Sequence, residues 1–232
     1  MKAKQSGFTL VEIAIVLVII GLLLGGILKG QEMITQAKIK NVINDMNGIT
    51  AALNSYQDRY RALPGDDKSA GGASGRWSTD ATVVSGDGDG VISGKWVPAV
   101  AGTGETAQFW LHLRKAGFIA GTGLDNPFNA LSGKMGVQTG NGPAASVAAT
   151  AVMASTTPVI AGFTGLIMCT ANLPDKMAIS VDAQTDDGSA TTGSVRGQDQ
   201  AGVANPAPLA DLAGAAYVED GTKSYLLCRT ML

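Results

Sequence analysis

From Phe8 to Leu28 the chain runs for 21 residues with a single charge, Glu12. As a helix rising 1.5 Å per residue this run is ~32 Å long, enough to cross a hydrocarbon core of about 30 Å. Lys2 and Lys4 precede it, so the positive-inside rule keeps its start on the cytoplasmic side and exports everything after Lys29. A secretory signal peptide has a shorter apolar region and a small-residue cleavage site, and no A-x-A pattern follows this run. A plain membrane anchor fits the length but gives no reason for Glu12. On insertion scales a carboxylate in such a helix costs roughly 2–3 kcal/mol, less near an end than at the centre, and its default reading is a functional partner.

Gly7-Phe8-Thr9-Leu10-Val11-Glu12, followed by an unbroken apolar helix, resembles the prepilin signature of type IV pilins and pseudopilins. The resemblance is specific from Gly7 to about Leu28 and weaker to Pro64. It implies that a membrane aspartyl peptidase cuts between Gly7 and Phe8 and methylates the new N-terminal Phe8. It also implies that Glu12, fifth in the processed chain, pairs with the N-terminal amine of a neighbouring subunit. Elementary electrostatics agrees, because an ammonium and a carboxylate are each costly in lipid and much cheaper together. On this reading residues 1–7 are a cleaved leader and 8–28 a transmembrane and filament-core helix. Residues 29–60 are its amphipathic continuation, and 61–232 an exported globular head. The implied partners are copies of the chain and related pilins, the prepilin peptidase, the inner membrane and a pilus or secretion assembly platform. The implied location is the inner membrane, single-pass, and then an extracellular pilus or a periplasmic pseudopilus.

No proline occurs before Pro64. Beyond the apolar run, Ile39, Val42, Met46, Ile49, Leu53, Tyr56 and Tyr60 step by three or four, the stripe of an amphipathic helix. One helix over 8–60 is therefore expected, ~80 Å long. Gly21, Gly25, Gly26 and Gly30 interrupt its first half. They permit close helix–helix approach, or mark a weak spot that unwinds on assembly. Leu63-Pro64-Gly65-Asp66-Asp67 ends the helix. In the head, Phe109, Trp110 and Leu113 predict a helix over 105–116 with Gly117 as its stop. Short apolar segments at 134–138, 147–153, 164–170 and 224–230 read as strands of a small antiparallel sheet. Pro174-Asp175 opens a short helix to about Ala183, and 188–213 reads as a loop. The expected fold class is α+β and pilin-like: a long N-terminal helix, membrane-spanning in its first half, packed on a small antiparallel sheet with one or two short helices.

Cys169 and Cys228 fall in two of the expected strands. Export places them in an oxidising compartment, where a disulfide is permitted; two buried thiols are the alternative. Type IV pilins commonly carry a similar C-terminal bridge, which pseudopilins often lack. Ser85-Gly86-Asp87-Gly88-Asp89-Gly90 resembles the middle of a calcium-binding EF-hand loop, with Asp87 and Asp89 as ligands. Ser85 and Trp96 stand where that loop needs its first ligand and its bidentate Glu, so the competing reading is an Asp/Gly turn. Asp186 and Asp187 could hold an ion, but cap a turn or pair with Arg196 more simply. Lys and Arg number 17 against 19 Asp and Glu, which points to no nucleic-acid partner. One His and two Cys exclude the usual zinc sites. His112 has no acid–base constellation around it in sequence. Gly94-Lys95 and Gly133-Lys134 lack the rest of a phosphate-binding loop, and Gly72–Gly75 is one residue short of a nucleophile elbow. A structural subunit is expected, not an enzyme. Two rival readings share the class or the anchor: a secretion pseudopilin or minor tip pilin, and a non-polymerising membrane-anchored calcium-binding module.

Overall fold

A computed structural model describes residues 9–94, 96, 102, 104–139, 163, 165–200 and 216–231. Helix α1 covers Leu10–Tyr60, α2 Glu105–Lys115 and α3 Asp175–Thr185. The strands are β1 (Met135–Thr139), β2 (Leu166–Pro174), β3 (Val195–Asp199) and β4 (Ser224–Thr230). They form one antiparallel sheet in the order β1-β2-β4-β3. This is the expected α+β, pilin-like layout. The chain divides into two compact units, Met1–Lys38 and Ile39–Leu232.

In the second unit the apolar stripe of α1 does what its spacing demands. Ile39, Val42, Met46, Ile49, Leu53 and Tyr56 are all buried. They share one core with Phe109, Trp110 and Leu113 of α2, Ala178 and Val181 of α3, and Met135, Val137, Leu166, Met168, Tyr225 and Leu227 of the sheet. The alternate strand residues Ile167, Cys169, Ala171, Leu226 and Cys228 point to the opposite face, where Trp96 and Phe163 cover them. The sheet is thus buried on both faces, which explains why its central strands β2 and β4 contain the unbroken apolar runs Leu166–Cys169 and Tyr225–Cys228.

Several boundaries differ from expectation. The stretch 188–213 contains β3, so it is not all loop. Val-Arg-Gly-Gln-Asp has little strand propensity, and its pairing with β4 from Val195↔Arg229 to Asp199↔Tyr225 decides its conformation. β2 runs on to Pro174 through an irregularity between Thr170 and Leu173, where Asn172 takes a φ of 61°. Its bulged backbone is held by Asn172 N–H donating to Gln200 Oε1, and Asn172 Nδ2 donating to Leu131 O. The helix opened by Asp175 extends to Thr185. The expected strand at 147–153 lies outside the described residues.

The connection from α1 to α2 is organised by carboxylates and one imidazole. Tyr56 Oη donates to Asp67 Oδ2 at 2.7 Å, Ser69 N–H donates to Asp67 Oδ1, and Arg76 forms an ion pair with Asp67. The Arg76 guanidinium lies over the Tyr60 ring, 4.3 Å from its centroid. His112 Nδ1 accepts from Gly65 N–H at 2.9 Å. The end of α1 is therefore clamped to the Pro64–Asp67 turn and to α2.

Candidate functional site

The first turn of α1 carries Glu12, and Thr9 and Glu12 close it as a capping box. Thr9 N–H and Thr9 Oγ1 both donate to Glu12 Oε2 at 2.8 Å, and Glu12 N–H donates back to Thr9 Oγ1 at 3.3 Å. The first N–H groups of any helix lack intrahelical acceptors, so the threonine and the glutamate satisfy each other's orphan donors. The Glu12 carboxylate is thereby fixed against the start of its own helix, which concentrates negative charge at the positive end of the dipole. Gly7 and Phe8, the expected cleavage junction, lie outside the described residues. Thr9 was not singled out in the sequence, although T-x-x-E before an apolar run is a legible capping signature.

Behind this cap lies a surface that none of the described residues of its own unit covers. Every large apolar side chain from Leu10 to Leu28, together with Met33 and Ile34, is exposed, Leu10 by 87%. α1 is long and apolar enough to cross a membrane, and its most apolar stretch has no buried residue. A Cβ built on Gly21, Gly25, Gly26 or Gly30 meets nothing within 4 Å, so all four flanks are open. The run ends at a Lys29–Glu32 ion pair of 2.7 Å, the first pair of charges after Glu12. The hydrophobic effect penalises such a surface in water by ~25 cal/mol per Å², so lipid or other apolar helices must surround it.

The remaining candidate residues hold the head together. Cys169 and Cys228 stand opposite each other on β2 and β4 and form a disulfide. Asp87 and Asp89 each close a turn. Asp87 Oδ1 accepts Asp89 N–H, and Asp89 Oδ1 accepts Val91 N–H, the two-residue pattern of Asx turns. The structure brings Asp87 together with Asp66 and Glu105 instead, their carboxylate oxygens within 4.8 Å of one another. Asp66 accepts N–H bonds from Gly88 and Gly90, while Glu105 accepts from Ser93 and Asp87. Burial first, then Asp66 and Asp87, hold the Glu105 pKa above the usual carboxylate range. Asp186 and Asp187 cap the loop after α3, accepting from Ser194, Val195, Ser189 and Thr192. They lie beside buried Asp182, which also accepts from Tyr217 Oη at 2.6 Å. His112 is fully buried and satisfied at both nitrogens, a packing role.

Residues 2–28 match the family described as the prokaryotic N-terminal methylation motif. The chain therefore carries the prepilin-type N-terminal motif of type IV pilins and pseudopilins, joined to a head of pilin-like layout. The match begins ahead of Gly7 and ends at Leu28, the last residue of the apolar run. No curated protein and no solved structure matches the chain.

Proposed function

We propose that this chain is a structural subunit of a type IV pilus or pilus-like filament. Processing between Gly7 and Phe8 by a prepilin peptidase, with methylation of Phe8, releases a chain anchored in the inner membrane by α1, with the head exported. Copies of the chain and related pilins then leave the bilayer at an assembly platform by packing their N-terminal helices together, with the heads as the filament surface. One observation supports this above all: an exposed apolar run, residues 10–28, whose single carboxylate, Glu12, is held at its start. Lipid can cover the apolar surface, and Thr9 hydrogen-bonds the carboxylate without neutralising it, whereas a processed neighbour offers a countercharge in its Phe8 amine. The Cys169–Cys228 bridge favours a pilus over a secretion pseudopilus, the second reading.

Glu12→Val tests it. The substitution makes the helix more apolar, so membrane insertion improves, yet it leaves a neighbour's amine unpaired when subunits stack. Truncating one partner of a buried ion pair costs about 3–5 kcal/mol. The expected result is a processed, membrane-bound protein missing from sheared filaments. A sheared-to-membrane ratio equal to that of the wild type, with filaments present, would overturn the reading.

A further inference from the structure

The chain contains four Asp-Gly sequences, at 87–88, 89–90, 187–188 and 220–221, and all four aspartates are exposed. Asp-Gly is the dipeptide most prone to rearrange, because glycine puts no side chain in front of its own nitrogen. We propose that three buried carboxylates, those of Asp66, Asp175 and Asp182, keep these four bonds from isomerising to isoaspartate.

The four sites share one geometry although they lie in three separate turns. Asp87 Oδ1 accepts Asp89 N–H, Asp89 Oδ1 accepts Val91 N–H, Asp187 Oδ1 accepts Ser189 N–H, and Asp220 Oδ1 accepts Thr222 N–H. Each is an Asx turn that ties the aspartate's own carboxylate to the residue two ahead. The glycine between them takes a positive φ every time, from 71° to 85°. Glycine adopts that conformation without strain, so the turn selects the very residue that makes the bond labile. A second carboxylate, from elsewhere in the fold, then takes the glycine N–H. Gly88 and Gly90 donate to the two oxygens of Asp66, Gly90 at 2.9 Å. Gly188 donates to Asp182 Oδ1 at 3.1 Å, and Gly221 donates to Asp175 Oδ2 at 2.6 Å. All three acceptors are buried, and burying a carboxylate is costly. The fourth buried aspartate among the described residues, Asp67, has Arg76 as its ion-pair partner, whereas these three each hold a glycine amide.

Isomerisation starts when the glycine nitrogen attacks Cγ of the preceding aspartate in its acid form. The N–Cγ bond forms, the Cγ–OH bond breaks, and the hydroxyl leaves with the amide proton as water. The product is a cyclic succinimide. Water then opens the ring at the original backbone carbonyl, so the chain continues through Cγ and its mass is unchanged. The rate depends on the nitrogen giving up its proton and turning toward Cγ. A charge-assisted hydrogen bond from that N–H to a carboxylate must break first. The carboxylate also opposes the loss of the proton, as any like charge opposes ionisation. The Asx turn thus holds the electrophile, and the buried acid holds the nucleophile.

The test uses the full chain in dodecyl maltoside micelles, incubated for several weeks at mildly acidic pH. Isoaspartate is counted at each site by peptide mapping with electron-transfer fragmentation, and its total is checked by methyl transfer from a protein isoaspartyl methyltransferase. In the native protein all four sites should isomerise at least about tenfold more slowly than in the same chain unfolded in urea. Asp66→Ala should raise the rate about tenfold at 87 and 89 and leave 187 and 220 as they were. Asp175→Ala should raise it at 220 alone. Asp66→Asn keeps the shape but offers an oxygen to only one of the two amides, so at least one of 87 and 89 should speed up, whether or not the alanine variant folds. Unchanged or slower rates at both sites in Asp66→Asn would overturn the proposal. So would an equal rise at all four sites in that variant, the mark of general loosening, or a native rate at any site equal to that of the unfolded chain. The measurement needs no filament, so its outcome is independent of assembly.

Discussion

His112 and Asp182 are buried titratable residues of the head whose pKa values move in ways that oppose each other. Gly65 N–H donates to His112 Nδ1, so that nitrogen is the acceptor, and Nε2 carries the proton toward Val84 O at 3.0 Å. Burial, with Arg76 nearby, lowers the pKa of His112 from 6.5 to about 4. A depressed folded-state pKa means that the unfolded chain binds the proton first. Stability from His112 is therefore complete above pH 6.5 and is lost as pH falls through about 4. The full loss is about 3 kcal/mol, at roughly 1.4 kcal/mol per pKa unit. Asp182 behaves in the opposite way: burial raises its pKa to about 6, so the folded state binds the proton first and acidification below that value stabilises. His112→Gln supplies one acceptor and one donor without titrating. The stability of His112→Gln relative to wild type should therefore rise as pH falls from 6.5 to 4. Asp182→Asn should fall relative to wild type over the lower part of the same window. Urea denaturation at pH 7 and at an acidic pH near 4.5 checks both signs. A difference between His112→Gln and wild type that is flat with pH would mean the imidazole titrates normally in the fold.

At the scale of elements, α1 is two helices in function with one continuous backbone. Its second half is stabilised by the head core, whereas its first half has no buried side chain and depends on lipid, partners and its cap. Thr9→Val keeps the β-branched shape but removes the hydroxyl that donates to Glu12 and accepts from its N–H. Losing an N-cap of this kind costs about 1 kcal/mol, so first-turn amides should exchange with deuterium about fivefold faster in micelles. Thr9→Ser should restore the wild-type rate; equal rates in all three would show that the box does not hold the turn. This half of the molecule was legible because periodicity and charge are local signals. Ile39 to Tyr56 repeat every three or four residues, and Glu12 stands alone among 21. β3 was illegible for the converse reason. Nothing in Val-Arg-Gly-Gln-Asp alternates, and its strand exists because β4 offers it a ladder and Arg196 lies over Phe163, 4.6 Å from the ring centroid. The acid cluster was half legible: Asp87 could be picked out from its turn, but Asp66 and Glu105 come to it from other segments, by contacts that no spacing rule encodes.

For the whole molecule, the Cys169–Cys228 bridge cross-links the head; on the proposed function the head is exported unfolded and then bears the pull on a filament, and the bridge would act on both. The bridge joins β2 to β4, the two central strands of the sheet, across a sequence separation of 59. Closing a loop of that length removes conformational freedom from the unfolded chain, worth about 4 kcal/mol in the chain-entropy account. Both sulfurs lie in the core on the second face of the sheet, beneath Trp96 and Phe163, so reductant reaches them only when that face opens. Two outcomes follow. The folded protein should resist thiol alkylation, and should incorporate label only after denaturation with reductant. Cys169→Ala with Cys228→Ala should fold in the same topology, because the β2–β4 ladder pairs five other residue pairs independently of the sulfurs, from Ile167↔Thr230 to Pro174↔Ser224. Its midpoint in urea should nevertheless fall by an amount equivalent to about 2–4 kcal/mol with little change in slope. Loss of subunit from sheared filaments, at unchanged membrane levels, would show that the bridge is needed under assembly load and not only for folding. Rapid alkylation of both cysteines in the native exported head, before any reductant is added, would show that the bridge does not form in the cell.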